Sequence, residues 1–314
     1  MSNYSSRVIY LDSNATTPVM PLALEAARAV MEDDYGNPSS VHSLGKKSRR
    51  LIRDSSDQVV AFFSTYASNI SHEQFLFTSG ATEATALAVF NSQHVIRSEL
   101  EHESIVAACK RFAKNEIIVP ITSSGVIDID SAVRIFEKIE SKNFLTTVFL
   151  THANNETGVI QPIEEIGLLC KRFNLKLHID CVQSVGKMDL NNVFKVADSI
   201  SFSGHKVGAL KGVGMLWVKQ PKQLQSLIPG KQQFSRRGGT ENTVAIASLG
   251  LIFESISNQT FSPFGSKCIE LRNYFEQEMS KAYKNRFVVF GNTNSRIANT
   301  SFFSLGVPSD RLLM

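Results

Sequence analysis

The chain has 314 residues, of which 43% are hydrophobic and 20% are charged, and its net charge is +4. This composition is ordinary for a globular protein, and at about 150 residues per domain it predicts two domains or one large and one small domain. No dense block of Lys and Arg is present, since the nearest candidate, 46–50, lies in a helix-like stretch and is explained by a solvated helix face. Nucleic-acid binding is therefore not expected.

The N-terminus is short and polar, and no apolar run is long enough to span a membrane. The four cysteines have neither disulfide-framework nor metal-ligand spacing, which indicates a reducing compartment. We expect a cytoplasmic protein with no metal site and no membrane partner.

Short β-branched runs alternate with helical patterns along the first 260 residues. The runs 74–78, 94–98, 147–151, 176–180 and 199–203 predict buried strands, and the segments 81–91, 104–114, 130–140 and 162–173 predict helices. This alternation predicts an α/β fold with a mostly parallel central sheet and helices on both faces. In such sheets, ligands bind outside the carboxyl ends of the strands.

The pattern changes after about residue 260. A polar helix is predicted over 266–283, followed by two strand-like runs, 287–290 and 297–303, and by a helix start at 308–310. We therefore predict a large domain over 1–260 and an incomplete small α+β domain over 261–314. The last helix has four residues before Met314, too few to bury an apolar face, so we expect a C-terminally truncated chain.

The strongest local signal is Ser203-Gly204-His205-Lys206, directly after a predicted strand. Desolvation in a crevice lowers the pKa of a lysine, and its neutral amine then forms a Schiff base with an aldehyde. Taken alone, a lysine after a strand is more often a solvated surface residue. Lys211 is an equally good candidate on composition.

Two further segments point to a cofactor site. Asp180 ends a predicted strand, where its carboxylate could pair with a pyridinium nitrogen, and Gln183 could donate to a ring oxygen. Gly80 allows an unusual backbone angle, after which Ala81 and Thr82 offer N–H groups to a phosphate at a helix start. Taken singly, these segments are better explained as turns or helix caps.

Eight motifs in register make a family resemblance. They are 10–18, 36–40, 78–83, 101–102, 154–158, 180–186, 201–206 and 237–242. In this order they resemble the class V aminotransferase family, specifically the cysteine desulfurases of the NifS and IscS kind. The resemblance implies the fold-type-I architecture of pyridoxal-phosphate enzymes, with the N-terminal segment 1–20 packing on the small domain.

The resemblance also implies a role for each matching residue. Lys206 would bind pyridoxal 5′-phosphate covalently, Asp180 would face the ring nitrogen, and Gln183 would face the ring hydroxyl oxygen. His102 would stack on the ring and move protons, and Asn155 would contact the cofactor or the substrate carboxylate. The phosphate would be held by Ala81, Thr82, Ser203 and His205, and by Thr240 from a neighbouring subunit, which implies a homodimer.

The implied reaction converts L-cysteine to alanine and an enzyme persulfide, whose sulfur passes to an acceptor or scaffold protein for iron–sulfur cluster assembly or thiolation. The attacking cysteine would lie in a loop beyond the equivalent of 301–314, so we expect impaired turnover. Cys181 does not substitute, because it should face away from the cofactor while Val182 approaches it. Open alternatives are a selenocysteine lyase, an aminotransferase, or a dimerising remnant that binds the cofactor without turnover.

Overall fold

The computed structural model describes residues 9–139, 145–259 and 266–308. Within these ranges one sheet contains seven strands: β1 Phe75–Thr78, β2 His94–Ser98, β3 Asn115–Val119, β4 Thr146–Thr151, β5 Lys176–Asp180, β6 Ser199–Ser203 and β7 Gly214–Val218. Their order is β1-β7-β6-β5-β4-β2-β3. β7 pairs antiparallel with β1 and β6, and all other pairs are parallel. The predicted mostly parallel sheet is therefore confirmed.

Helices account for most of the remaining regular secondary structure. They are α1 Pro21–Asp33, α2 Ser43–Ser64, α3 Ala81–Phe90, α4 Glu103–Phe112, α5 Ile129–Glu137, α6 Ile163–Arg172, α7 Asn191–Val196, α8 Gln232–Ser235, α9 Thr243–Ser257 and α10 Ser266–Tyr283. α8 is a single irregular turn, because three of its four residues have a positive φ. None of the helices in the described ranges is long and apolar enough to cross a membrane.

Two apolar clusters show that helices cover both faces of the sheet. Val148 and Leu150 of β4 belong to one cluster, whereas Phe149 between them belongs to the other. Successive strand residues point to opposite faces, so this alternation places a core on each side. On one face the Phe62 and Phe253 rings of α2 and α9 stack 4.6 Å apart between centroids, a contact that stabilises by about 1 kcal/mol beyond burial.

A small unit follows the sheet. α10 precedes two short antiparallel strands, β8 Val288–Val289 and β9 Phe303–Ser304, which are shorter than the predicted runs. The predicted helix start extends to Ser309 and Asp310, which lie outside the described residues. Asn14 contacts this unit through Thr300 and Asn299. The division into domains at residue 260 stays a prediction.

Candidate active site

A cavity of about 910 Å³ opens at the carboxyl ends of β4, β5 and β6 and at the starts of α3 and α4. Its wall includes all the predicted site residues except one: Ala81, Thr82, His102, Asn155, Asp180, Gln183, Ser203, His205 and Lys206. The exception is Thr240. Lys211, the alternative lysine, also lines the cavity, as do residues that were not predicted, among them Asp12, Asn14, Glu156 and Phe302.

Lys206 enters the cavity from a tight turn, Gly204–Lys206, directly after β6. Its Nζ donates to the backbone carbonyl of Asn14, and to that of Ala15 at 2.8 Å. Burial lowers the pKa of Lys206, and this effect outweighs the opposing charges of Asp180 and Asp12. The lysine is therefore biased toward the neutral amine that nucleophilic chemistry requires.

Asp180 ends β5, the strand next to β6, and is 5% exposed. One carboxylate oxygen accepts the Val182 N–H at 2.9 Å. Burial raises the pKa of Asp180, although the Val182 N–H, His102 and Lys206 oppose that rise. Cys181 is fully buried in the core while Val182 lines the cavity. The side chains therefore alternate as the sequence analysis predicted.

Gln183 is held at both ends of its amide. Its Nε2 donates to the Asn14 carbonyl at 3.0 Å, and its Oε1 accepts from Lys187 Nζ at 2.7 Å. Burial and the charge of Lys206 lower the pKa of Lys187 to about 7. The contact with Lys187 was not predicted, because a lysine four residues after Gln183 has no distinguishing local pattern.

The segment from Ser79 to Thr82 forms a cradle at the start of α3. The Glu83 side chain fixes it, since Oε2 accepts the Ser79 N–H at 2.8 Å while both carboxylate oxygens accept from Arg237. Burial alone would raise the pKa of Glu83, but the hydrogen bonds from Arg237 and Ser79 outweigh burial and lower it. The positive helix end at Ala81 and Thr82 suits a phosphate.

The prediction that Gly80 adopts an unusual backbone angle is wrong. Its φ of 167° is extended backbone, and a Cβ there would lie 4.0 Å from its nearest neighbour, Ser203 Oγ. The constrained glycine is Gly214 at the start of β7, where a Cβ would lie 2.5 Å from the carbonyl carbon of Gly80. Close approach of β7 to the cradle explains why glycine is needed at that position.

His102 and Glu101 lie between β2 and α4. His102 caps α4, because its Nδ1 accepts the Ser104 N–H at 3.1 Å, which leaves Nε2 as the N–H nitrogen of the neutral ring. The neighbouring Glu101 carboxyl is 7% exposed and accepts from Ser98 Oγ at 2.6 Å and from Thr151 Oγ1 at 2.6 Å. Burial raises the pKa of Glu101 to about 7.

The Asn154–Gly158 segment divides two roles between adjacent asparagines. Asn154 Oδ1 accepts the N–H groups of Glu156 and Thr157 at 3.0 and 2.9 Å, so Asn154 shapes the turn. Asn155 instead lines the cavity. The side chain that shapes the turn is therefore that of Asn154 and not that of Asn155.

His205 packs against the N-terminal segment. Its Nδ1 lies 3.0 Å from Thr16 Oγ1, and its carbonyl accepts the Thr17 N–H at 3.1 Å. Burial, with the charges of Lys206 and Lys211, lowers the pKa of His205 to about 4. The ring is therefore neutral at physiological pH, and it has one N–H to donate.

Thr240 lies outside this cavity. It is exposed and lines a neighbouring cavity of about 140 Å³ together with Arg237 and Asn242. The structure thus does not bring Thr240 to the Lys206 of its own chain.

The thiols of the described residues lie away from the cavity wall. Cys109, Cys170 and Cys181 are buried, and burial raises the pKa of Cys109 and of Cys170 to about 12. Cys268 is partly exposed on α10. None of the four lines the cavity.

Comparisons with known proteins agree with this geometry. The Aminotransferase class-V family model matches residues 9–311. A cysteine desulfurase of Nostoc sp. is 37% identical over 254 residues, 77% of this chain and 61% of the relative. Cysteine desulfurase 2 of Trichormus variabilis is 34% identical over 309 residues, 94% of this chain and 73% of the relative. The chain thus spans about three fifths of the length of the first of these relatives.

The NifS-like protein of Rickettsia africae superimposes with a TM-score of 0.84 at 28% identity, covering 97% of this chain and 84% of the other. This likeness confirms the predicted fold class, that of fold-type-I pyridoxal-phosphate enzymes. The family model covers nearly the whole chain, and its members depend on pyridoxal 5′-phosphate. The chain therefore belongs to the class-V aminotransferase family, and the relatives it matches are cysteine desulfurases.

Proposed function

We propose that this protein binds pyridoxal 5′-phosphate in the 910 Å³ cavity and uses it to remove sulfur from L-cysteine, which leaves alanine. One observation carries the proposal: Lys206, whose pKa burial lowers, shares this cavity with the buried carboxylate of Asp180 on the adjacent strand. The names of the relatives supply the substrate, because they are cysteine desulfurases.

The residues present fit the cofactor. The cavity is of the size that small cofactors occupy, and it combines a buried carboxylate, a lysine of lowered pKa and a helix start. These groups match a pyridinium nitrogen, an aldehyde and a phosphate respectively. When bound, the cofactor supplies the aldehyde and a ring that takes up electron density from the α-carbon of the substrate.

Each cavity residue then has a role that its own chemistry supports. Lys206 would attach the cofactor, and afterwards its amine would move a proton at the α-carbon of the substrate. Asp180 would hold the ring nitrogen protonated, and Gln183 would donate to the ring hydroxyl oxygen. His102 would cover the ring face, and Asn155 would bind the cofactor or the substrate carboxylate.

The phosphate would bind at the helix end. The backbone N–H groups of Ala81 and Thr82, the Thr82 and Ser203 hydroxyls and the neutral ring of His205 are all available as donors there. If His205 Nδ1 accepts from Thr16, then Nε2 carries the proton for the phosphate. Thr240 from a second copy would complete the set, so the proposed active form is a homodimer.

The sulfur must leave the substrate to a thiol. Since none of the four cysteines lines the cavity, the attacking thiolate would be a thiol other than these four. Attack on the substrate sulfur would form a sulfur–sulfur bond and break the sulfur–carbon bond, whose electron pair would stay with the carbon that is protonated to become the methyl group of alanine. The sulfur would remain on the attacking thiol as a persulfide. An acceptor or scaffold protein for iron–sulfur cluster assembly or thiolation would then take that sulfur.

Lys206→Ala tests the proposal. Wild-type protein loaded with the cofactor should gain a visible absorption band, and with L-cysteine and an excess of dithiol it should release sulfide and alanine in equal amounts. The variant should lose both the band and the products, because Lys206 is the amine that the turn after β6 places in the cavity beside Asp180. Lys211→Ala is the matched control, since Lys211 lines the same cavity, and that variant should keep the band.

Two outcomes would overturn the proposal. A band that persists in Lys206→Ala means that another group holds the cofactor, and alanine formation that does not depend on any thiol means a different reaction.

The position of the cysteines favours one further candidate, a dimer that binds the cofactor without turnover. That candidate predicts the band without products from L-cysteine, from selenocysteine or from an amino acid with a keto acid.

A further inference from the structure

We propose that Lys187 is a positioning residue that fixes the amide of Gln183 so that its N–H side faces the reactive lysine. This inference deepens the proposed function and rests on it. Lys187 is not among the residues that line the cavity, but its Nζ lies 2.7 Å from Gln183 Oε1. Nothing in the family resemblance assigns it a part in the site.

The donors and acceptors of the two side chains restrict how they can meet. A carboxamide presents an acceptor on one side and two donors on the other, and either side could face the cavity. A lysine ammonium has three donors and no acceptor, so only the amide oxygen can meet it. In the protonated form of Lys187, the contact therefore fixes the orientation of the Gln183 amide.

The other hydrogen bonds around Gln183 depend on this orientation of its amide. With Oε1 on Lys187, Gln183 Nε2 donates to the Asn14 carbonyl at 3.0 Å, and Lys206 Nζ donates to the same carbonyl. The Asn14 carbonyl is thus shared by the proposed cofactor lysine and by the Gln183 amide. A flipped amide would instead turn its oxygen toward that carbonyl and toward the Lys206 ammonium.

Two consequences follow for the site. A flipped Gln183 would present an acceptor rather than a donor to the ring hydroxyl oxygen, which weakens cofactor binding. The flipped oxygen would also stabilise the Lys206 ammonium and make its amine less available. Burial, and to a smaller extent the charge of Lys206, lowers the pKa of Lys187 to about 7.

Lys187→Met removes the donor and keeps most of the volume. We expect the dissociation constant of pyridoxal 5′-phosphate to rise at least about tenfold, the usual effect of losing a hydrogen bond to a charged group. Lys187→Arg should restore binding to within a few-fold. Lys195→Met is the matched control, since the exposed Lys195 Nζ also donates to an amide oxygen, that of Asn192 at 2.9 Å, and binding should be unchanged.

A double-mutant cycle separates positioning from general damage. In a Gln183→Leu background, Lys187→Met should cause no further loss, because the amide that Lys187 orients is gone. Gln183→Glu keeps an oxygen for Lys187 but has no side-chain N–H, so it should weaken cofactor binding about as much as Lys187→Met does. It replaces Lys187→Met in the binding assay if that variant folds poorly.

A second readout needs no cofactor. In the apoprotein, acetylation of Lys206 near neutral pH, followed by mass spectrometry, should slow several-fold in Lys187→Met and stay unchanged in Lys195→Met. Equal behaviour of these two variants in both assays would overturn the inference, as would a full Lys187→Met effect in the Gln183→Leu background. A wild type that never acquires a Lys206-dependent band contradicts the proposed function instead, and the acetylation assay still decides the role of Lys187.

Discussion

Glu101 is a buried carboxyl group without a cationic partner among its hydrogen bonds. Its oxygens accept from Ser98 and from the backbone and hydroxyl of Thr151, and Asp180 adds a repulsive charge nearby. Burial raises its pKa from 4.5 to about 7. The folded state therefore holds the Glu101 proton more tightly than the unfolded chain does, so Glu101 contributes stability at low pH and loses it as pH rises through this window.

Glu101→Gln mimics the protonated form, so it should flatten that part of the pH dependence. Relative to wild type, the variant should gain a few kcal/mol in the free energy of unfolding between pH 5 and pH 8, at about 1.4 kcal/mol per unit of pKa shift. Denaturant titrations at both pH values measure the difference. Glu25→Gln, at an exposed position of α1, should follow the wild type. A Glu101→Gln variant that parallels the wild type would show that the carboxyl is ionised in the fold without penalty.

At the scale of elements, the antiparallel strand β7 is what brings the backbone against the cradle. Gly214 pairs with Thr78 at the start of β7, and its missing side chain leaves room for the Gly80 backbone. Gly214→Ala should destabilise the protein by about 1–3 kcal/mol, the usual effect of overpacking. Gly80→Ala, whose Cβ would meet only Ser203 Oγ at 4.0 Å, should change stability by less than half of that. Thermal unfolding of the two apoproteins makes the comparison, and equal losses would contradict it.

The predicted elements were those with a strong local period. The five predicted strands and four helices of the large domain lie within a few residues of their observed bounds, because buried runs and amphipathic repeats are local signals. The strands β3 and β7 and the helices α1, α7 and α9 were not predicted. β3 is a partly exposed edge strand, and β7 follows a glycine-rich loop that gives no strand boundary.

The features of the site also divide into those that local sequence predicts and those that it does not. Lys206, Asp180 and Gln183 follow strand ends, so topology alone places them at one edge of the sheet. The contacts of Asn14 with Thr300 and of Lys187 with Gln183 depend on how distant or featureless segments pack. No local pattern encodes such contacts, and they appear only in the folded chain.

At the scale of the whole molecule, the small unit has its own partly buried ion pair. The two terminal guanidinium nitrogens of Arg296, Nη1 and Nη2, donate to the Glu276 carboxylate at 2.7 and 2.8 Å. This ion pair joins α10 to the segment before β9. The sheet and the small unit meet through the backbone, where Ile160 N–H donates to the Ser295 carbonyl at 2.9 Å. If 266–304 folds as a separate domain, the ion pair should stabilise that unit alone.

Arg296→Met leaves the Glu276 carboxylate without its guanidinium, which costs about 1–3 kcal/mol for a partly buried pair. Hydrogen exchange should speed up in α10, β8 and β9 while β4, β5 and β6 keep their protection. Lys281→Met breaks an exposed pair with Glu278 on the same helix and should have little effect. Exchange that accelerates equally in the central sheet would mean that the chain does not divide near residue 260.

The contact between Asn14 and Thr300 spans 286 positions of sequence, and this spacing has a consequence for biosynthesis. At about 5–20 residues per second, tens of seconds of translation separate the moments at which the ribosome releases these two residues. Asn14 emerges first, Asp180 and Lys206 follow well into that interval, and Phe302 emerges only after it, so the cavity wall stays incomplete until then. We therefore expect nascent chains to acquire their cofactor late, after most of the polypeptide has left the exit tunnel.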